Sequence, residues 1–260
     1  MKTVRINKTK RLLASGQLAV GAVLTSPAPD LVEVAAVAGF DFVTIDAEHE
    51  PIDDAQLVHL IRAAEAFDIT PIVRVAKDPD RLLRLLDAGA QGIHVPRCNT
   101  ASDMRQVVEW TRFHPHGQRT FYRLGRGGNF SRDMTDDEWA KEADAQLLVI
   151  AMIEEASALA HLDSMLAVPG IDAIHIGPKD LWQSLGMPSD AEVDRAIDQI
   201  ATAVRASGKQ LSMQVRAVDD LPPQIARHQA RGVTMISIPL LGLLLRNSAD
   251  LVRTIRGGKA

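Results

Sequence analysis

Short apolar runs alternate with amphipathic segments along almost the whole chain. The apolar runs have the length of buried strands and fall at 19–24, 42–46, 71–75, 92–95, 147–152, 172–177, 210–214 and 234–237. Segments with a helical spacing of apolar positions separate them, at 53–67, 78–88, 101–113, 156–167, 189–207 and 219–231. Strands that alternate with helices in this way predict a parallel sheet with right-handed crossovers.

Eight predicted strands favour a closed barrel over an open sheet. The chain has 260 residues, and a single α/β barrel typically takes ~250. The alternative is a doubly wound sheet, which is disfavoured because no glycine-rich phosphate turn follows the first strand. We therefore expect an α/β fold, a (β/α)8 TIM barrel that forms one domain over residues 1–260.

Two segments depart from this alternation. Residues 114–135 form a long insertion, rich in glycine and arginine, between the fourth and fifth strands. Loops of that length are usually functional or disordered, and we predict a lid or a subunit contact here. Residues 240–245 are more apolar than a solvent-facing last helix should be, so we expect them to pack against another subunit.

Composition and charge exclude several classes of protein. A net charge of −4 and a pI near 6.1 do not favour binding to nucleic acid. Cys98 is the only cysteine, which rules out an internal disulfide and fits a reducing compartment. The basic N-terminus lacks the apolar stretch of a signal peptide, and no run is long enough to span a bilayer. We expect a cytoplasmic protein that does not bind membranes.

Three polar side chains follow predicted strands and carry the first chemical hypothesis. Glu154, Asp180 and His49 each come after an apolar run, and the carboxyl ends of parallel strands meet at one rim. Two carboxylates there repel each other unless a proton or a hard dication lies between them. The alternative for Asp180 is an N-cap of the following helix. Two other histidines, His94 and His175, lie inside strands and are predicted to be buried in the barrel.

Several motifs occur in a characteristic order. They are Ile45–His49, Pro71–Arg74, Leu86–Ala90, Ile153–Glu154 and Ile176–Leu181. Together they resemble the HpcH/HpaI aldolase family, the metal-dependent class II pyruvate aldolases, and the resemblance covers residues 21–245. It implies a (β/α)8 barrel in a hexamer or trimer with the last helix swapped between subunits. It also implies an enzyme that cleaves or forms 4-hydroxy-2-oxo acids from pyruvate and an aldehyde.

The resemblance also implies roles for individual residues. Glu154 and Asp180 match the ligands of a divalent cation, Mg²⁺, Mn²⁺ or Co²⁺. Arg74 matches the group that stabilises the enolate, although a plain salt bridge is the alternative. His49 matches the proton shuttle, and Asp87 matches an aspartate that pairs with it, from the same or a neighbouring subunit. The alternative for Asp87 is an ordinary residue at a helix C-terminus.

The turn after the sixth strand is the expected carboxylate-binding site. Gly177, Pro178 and Lys179 match the family's turn for the pyruvate carboxylate, where backbone N–H groups at a helix N-terminus hold an anion. Pro178 has no N–H, so the donors would be Lys179, Asp180 or Leu181. A plain tight turn is the alternative.

The chain also departs from the family pattern. Met152 stands where glutamine is common, Trp182 and Lys179 stand where small residues are usual, and the 114–135 loop differs. We expect an unusual substrate, and as a hypothesis the loop arginines contact a carboxylated acceptor; these are Arg119, Arg123, Arg126 and Arg132. The alternatives to a pyruvate aldolase are a lyase acting on another 2-oxo acid or a CoA thioester, and a non-catalytic protein that retains the metal.

Overall fold

Parallel strands close into a barrel in a computed structural model that describes residues 4–132, 134–215 and 221–257. The strands are β1 Ala19–Leu24, β2 Phe42–Asp46, β3 Thr70–Arg74, β4 Gly92–Val95, β5 Leu148–Ile153, β6 Ala173–Ile176, β7 Gln210–Gln214 and β8 Met235–Pro239. Each pairs in parallel with its neighbour in sequence, and β8 closes on β1. The predicted (β/α)8 barrel is confirmed.

Helices follow the strands and cover the outside of the barrel. They are α1 Lys8–Ala14, α2 Pro29–Val37, α3 Asp54–Ala66, α4 Pro79–Ala88, α5 Ala101–Thr111, α6 Asp136–Gln146, α7 Leu162–Leu166, α8 Pro178–Ser184, α9 Asp190–Ser207, α10 Leu221–Ala230 and α11 Leu240–Ile255, with 3-10 segments at Asn129–Ser131 and Ala156–His161. The predicted helix 219–231 starts with two residues that lie outside the described part of the chain. The predicted helical segments did not include α1, α2 or α6, and α2 exposes Val34 and Val37, which blurs its apolar face.

Local sequence signals set where many helices begin. Capping boxes, in which the first residue and the residue three positions on exchange side-chain-to-backbone hydrogen bonds, start α3, α5, α6 and α9. Proline occupies the first turn of α2, α4 and α8. These signals fix the strand-to-helix turns, and those turns form the carboxyl-terminal rim of the barrel.

The barrel interior is apolar at its amino-terminal end. A cluster of buried side chains fills it: Leu13, Ala19, Phe42, Ile72, Leu148, Ile150, Ala173 and Met235. Gly21 leaves room for the ring of Phe42, because a Cβ there would lie 2.1 Å from Cε2 of that ring. Closer to the carboxyl ends of the strands, the barrel contains buried polar residues: Thr44, Asp46, His94, His175, Ser212 and Ser237.

The 114–135 loop lies at the amino-terminal end of the barrel. Just before it, Arg112 Nη2 donates to Asp172 Oδ2 at 2.9 Å, and Asp172 directly precedes β6. Within the loop, Gly127 N donates to the carbonyl oxygen of Asp87, in the last turn of α4. The loop therefore does not form a lid over the rim of its own chain. Its Asp133 lies outside the described residues.

The last helix, α11, has no buried residue along its described length. Leu245 and Ile255 are 72% and 75% exposed. Such an apolar surface is typical of a contact with another chain. Among the described residues, no helix combines the length and the apolar character that a bilayer crossing requires.

Candidate active site

A cleft of about 300 Å³ opens at the carboxyl-terminal rim of the barrel. Its lining residues are Glu48, His49, Arg97, Glu154, Glu155, Asp180, Gln183 and Ser184. We call this space the rim cleft. It brings together three residues that the sequence predicted to meet: His49, Glu154 and Asp180.

Glu154 is held at the wall of the rim cleft by the backbone. It directly follows β5 and is buried, and its Oε1 accepts a hydrogen bond from Arg97 N at 2.9 Å. Burial raises the pKa of Glu154, and the negative charges of Asp180 and Glu48 raise it further, against the lowering effect of the Arg97 N–H. The two predicted ligands are therefore close enough to repel each other.

Asp180 lies in the first turn of α8. The helix has Gly177 as its N-cap and Pro178 as its first residue, so Asp180 is not the cap that one alternative proposed. Its carboxylate shares the rim cleft with that of Glu154, and a hard dication is the species that such a pair of carboxylates favours.

The turn before α8 needs glycine because Glu154 lies against it. A Cβ on Gly177 would be 2.8 Å from Oε2 of Glu154 and 2.6 Å from Cε of Met152. The amino group of Lys179 lies 5.9 Å from the centre of the Trp182 ring, so this side chain extends along the helix. Trp182 itself donates from Nε1 to the carbonyl oxygen of Pro188 at 3.1 Å and does not line the rim cleft.

Arg74, at the end of β3, is fixed by a carboxylate that the sequence did not identify as its partner. Its Nε and Nη2 donate to the two oxygens of Asp46 at 3.0 and 2.5 Å. Burial opposes ionisation of Asp46, but the bonds from Arg74 outweigh it, and the pKa of Asp46 falls below its usual value. Asp46 Oδ1 also accepts from the backbone N–H groups of Glu48 and His49 at 3.2 and 3.3 Å. The Arg74–Asp46 pair therefore shapes the turn that carries His49.

His49 is open to solvent at the edge of the cleft. Its side chain is 56% exposed, and its Nε2 lies 3.6 Å from Oε2 of Glu48. Asp87 lies elsewhere in the chain, in the last turn of α4, where its Oδ1 accepts from Arg119 at 2.9 Å. Barrel helices run antiparallel to the strands, so the end of α4 and the rim are at opposite ends of one chain. The pairing of His49 with Asp87 therefore stays a prediction, and it can occur only between His49 of one chain and Asp87 of a neighbouring chain.

Three of the loop arginines that we expected to contact a carboxylated acceptor pair instead with carboxylates at the amino-terminal end of the barrel. Arg119 pairs with Asp87, Arg123 with Asp136 at 2.6 Å, and Arg126 with Glu65. None of these three arginines reaches the rim cleft of its own chain. They could contact an acceptor only in the rim cleft of a neighbouring chain.

Some residues of the rim cleft had no clear sequence signal. Glu155 lines the cleft and its Oε2 accepts from Asn99 Nδ2 at 2.8 Å, but in the sequence it does not differ from an ordinary acid before a helix. Arg97 has a φ of 52°, and this left-handed backbone turns its N–H toward Glu154. A strained non-glycine residue of this kind cannot be identified from composition or periodicity.

A buried polar layer underlies the rim. His94 and His175 point into the barrel with ring centres 4.6 Å apart, and His175 Nδ1 lies 2.9 Å from Ser212 Oγ. Burial, together with the nearby charge of Arg74, lowers the pKa of both histidines, to about 3 for His175. Both rings are therefore neutral at physiological pH, and both are buried in the barrel as predicted.

The donor set of the rim cleft fits a divalent cation with open coordination positions. No group of three or more histidine, cysteine, aspartate or glutamate side chains in the described ranges is arranged to hold a metal. The pair predicted from the sequence, Glu154 and Asp180, would supply two ligands, and water and substrate would supply the others. Hard dications such as Mg²⁺ commonly bind through one or two carboxylates in this way.

Comparisons with known proteins find relatives that match this chain over most of its length. The HpcH/HpaI aldolase/citrate lyase family matches residues 20–238. A 2-keto-3-deoxy-L-rhamnonate aldolase from Klebsiella pneumoniae is 33% identical over 255 residues, which cover 96% of this chain and 93% of the relative.

Solved structures of similar proteins match the fold of this chain over nearly its whole length. The citrate synthase SbnG is 35% identical, with a TM-score of 0.83 over 95% of this chain and 97% of its own. An HpcH/HpaI aldolase from Desulfitobacterium hafniense is 29% identical, with a TM-score of 0.85 over 95% of this chain and 96% of its own. The predicted class, an aldolase-type carbon–carbon lyase, is confirmed by these matches. The chain belongs to the HpcH/HpaI aldolase/citrate lyase family.

Proposed function

We propose that this protein is a divalent-metal-dependent aldolase that cleaves or forms a 4-hydroxy-2-oxo acid through a pyruvate enolate. The observation that carries the proposal is the meeting of Glu154 and Asp180 in the rim cleft, beside an arginine and a histidine. Cleavage next to a carbonyl leaves negative charge on an enolate oxygen, and the chain must provide groups that stabilise it.

Glu154 and Asp180 would hold the cation, which we expect to be Mg²⁺, Mn²⁺ or Co²⁺. When bound, such an ion supplies a Lewis acid that stabilises the developing negative charge of the enolate. The adjacent Glu48 adds to the negative potential that attracts the ion.

Arg74 would stabilise the enolate oxygen from a fixed position. Its bonds to Asp46 use Nε and Nη2, so Nη1 is the nitrogen that we assign to the substrate. An arginine that is held before the reaction loses little further freedom during it, and preorganised donors of this kind stabilise developing charge well. Asp46 is thus a positioning residue.

His49 would move the proton. In the cleavage direction its ring accepts the proton of the C4 hydroxyl, the C3–C4 bond breaks, and its electrons form the enolate as the aldehyde leaves. Protonation of C3 then gives pyruvate. An imidazole suits this role because histidine is the side chain that most often transfers protons in enzymes. Asp87 of a neighbouring chain would orient the ring.

The turn before α8 would bind the substrate carboxylate. Gly177, Pro178 and Lys179 form this turn, and no side chain caps the start of the helix among the described residues. The backbone N–H groups of Lys179 and Asp180 are the donors that we assign to the carboxylate.

We also propose a homo-oligomer, a hexamer or trimer, with α11 packed on a neighbouring chain. The support is the exposed apolar surface of α11, including Leu244 and Leu245. An assembly would also allow Asp87 and the 114–135 loop of one chain to reach the rim cleft of another.

Exchange of the methyl protons of pyruvate in deuterium oxide tests the function directly. We expect exchange with Mg²⁺, Mn²⁺ or Co²⁺ present and none with EDTA, measured by proton NMR. Exchange with another 2-oxo acid but not with pyruvate would favour the alternative lyase. Metal binding without exchange of any oxo acid would favour a non-catalytic protein, since enolate formation is the step that the proposal requires.

A further inference from the structure

A second cavity lies at the amino-terminal end of the barrel, away from the rim cleft. Gln91 and Leu147, which come just before β4 and β5, form part of its wall together with residues of the 114–135 loop. Its volume is about 110 Å³, several times the ~10–15 Å³ that admits one water molecule. We call it the amino-terminal cavity.

Nitrogen donors without partners surround this cavity. Nη1 of Arg5, Nε of Arg119, Nε of Arg126 and Nε1 of Trp139 are all buried and have no hydrogen-bond acceptor among the described residues. The side chain of Arg119 is 5% exposed and Trp139 is 1% exposed. Arginine and tryptophan side chains can only donate, so a species that fits this cavity must accept several hydrogen bonds.

Positive charge exceeds negative charge around the cavity. The cationic groups in and beside it are Arg5, Lys8, Arg62, Arg119 and Arg126, and the carboxylates whose charges act on them are Glu65, Asp68, Asp87 and Asp144. Burial lowers the pKa of Arg126, and the charges of Arg62 and Arg5 lower it further. An anion would relieve mutual repulsion of this kind because it carries a compensating charge, which a water molecule does not.

We infer that the amino-terminal cavity binds a small oxyanion of the phosphate class through Arg5, Arg119, Arg126 and the indole N–H of Trp139. A tetrahedral oxyanion supplies several strong acceptors in the small volume available. Hydrogen phosphate also carries a hydroxyl that can donate to Gln91 Oε1, an acceptor without a partner in the described part of the chain. The inference does not depend on the chemistry proposed for the rim cleft.

Indole NMR signals test the site at a chosen atom. The chain has three tryptophans, so a ¹⁵N-tryptophan TROSY spectrum shows one Nε1–H signal for each, and Trp139→Phe assigns the signal of Trp139. Titration with inorganic phosphate, at constant ionic strength in chloride, should move the Trp139 signal in a saturable way. Trp182 should stay in place because its Nε1 already donates to Pro188. A Trp139 signal that does not move would overturn the inference.

Variants locate the anion. Arg126→Gln and Arg5→Gln each remove one cation and should weaken phosphate binding at least about tenfold, as expected for a charge-assisted hydrogen bond. They are preferred to a change of Arg119, which is buried and holds Asp87. Circular dichroism checks that each variant is folded.

Two matched controls remove an arginine elsewhere. Arg84→Gln lies on α4 and pairs with Asp54 at 2.8 Å, and Arg97→Gln lies at the rim cleft. Both should bind phosphate like the parent protein. Unchanged binding in Arg126→Gln and Arg5→Gln, or lost binding in Arg97→Gln alone, would contradict the assignment.

A last titration separates two sources of the ion. Glycerol phosphate carries the same phosphoryl group on an organic molecule. Tighter binding than inorganic phosphate would assign the site to organic phosphates, and weaker binding would assign it to the free ion.

Discussion

The two ends of the barrel both concentrate charge, but they hold it in different ways. At the rim, Glu154 accepts from a backbone N–H and Asp46 accepts from two of them, so the carboxylates are positioned by the main chain. At the amino-terminal end, Arg119 and Arg126 are held by side chains from α4 and α3. Backbone-positioned acids stay in place when a ligand changes, whereas paired arginines can exchange one partner for another.

This difference suits the two ends for different tasks. The rim cleft gathers carboxylates that repel one another, which favours a cation and fixed reaction geometry. The amino-terminal cavity gathers donors in excess of acceptors, which favours an anion. Changes at the rim should therefore affect catalysis most strongly, and the predictions below go from the largest expected effect to the smallest.

Removing one charge at the rim should have the largest effect. Glu154→Gln keeps the shape of the side chain and an oxygen for the Arg97 N–H, but it removes one of the two proposed ligands. We expect turnover to fall by about 10³-fold or more, since Lewis-acid stabilisation contributes several kcal/mol. Calorimetry with Mn²⁺ measures the loss of metal affinity, and steady-state kinetics measure the loss of turnover.

The matched control is the neighbouring acid. Glu155 also lines the rim cleft but bonds to Asn99, so Glu155→Gln should keep most of the Mn²⁺ affinity. Equal losses in both variants would mean that the ion responds to the overall charge of the cleft and not to Glu154.

The strand ends show how far the sequence could predict this rim. The patterns placed the barrel and the ends of β2, β5 and β6 closely enough to bring His49, Glu154 and Asp180 into one cleft. Side chains along a strand point alternately to the two faces of the sheet. The face to which a residue just beyond the strand points can therefore be predicted from its position. Positions of this kind follow from local sequence.

Other features depend on contacts that local patterns do not record. The bond between Arg74 and Asp46 joins two strands, and the φ of Arg97 is set by the turn around it. Periodicity likewise could not place the 114–135 loop, because its position depends on side-chain pairs such as Arg119–Asp87. The role proposed for Asp87 requires an assembly of chains, which one sequence does not encode in a local pattern.

A second substitution tests whether geometry or charge alone matters at the rim. Arg74→Lys keeps the positive charge but cannot donate two parallel bonds to Asp46. We expect kcat to fall about 10²- to 10³-fold, as for the loss of an oriented donor, together with a lower melting temperature. Arg84→Lys, at an exposed pair with Asp54, should change neither quantity appreciably. Wild-type turnover in Arg74→Lys would show that a point charge is sufficient.

Asp87 links the two ends of the barrel if chains assemble, and mixed oligomers test this link. His49→Ala and Asp87→Asn should each be impaired, by about 10²-fold for the loss of an acid–base step. If Asp87 acts on the histidine of a neighbouring chain, co-refolded mixtures of the two variants contain some sites with both native residues, and activity returns. Activity that stays at the level of the separate variants would place Asp87 outside the reaction.

The smallest expected effect is a pH dependence of stability and metal affinity, which we expect only at the rim. The pKa of Glu154 is raised by burial and by the charges of Asp180 and Glu48, so the folded chain keeps this proton to a higher pH than the unfolded chain. Stability from this group is therefore present below the unfolded value near 4.5 and is lost as pH rises through the folded pKa. A dication that replaces this proton should restore the lost stability. The affinity of the protein for the dication should rise by about tenfold per pH unit between the unfolded and folded pKa values of Glu154.

Thermal unfolding with and without Mn²⁺ measures this effect at a series of pH values. The metal-induced rise in melting temperature should grow with pH and level off above the folded pKa of Glu154. Glu154→Gln removes the titrating group and should abolish both the gain and its pH dependence. Inorganic phosphate should instead stabilise the protein through the amino-terminal cavity in this variant as it does in the parent chain. A metal-induced gain that is the same at every pH would mean that the bound ion does not displace the proton of Glu154, and the carboxylate would then act only at a distance from the ion.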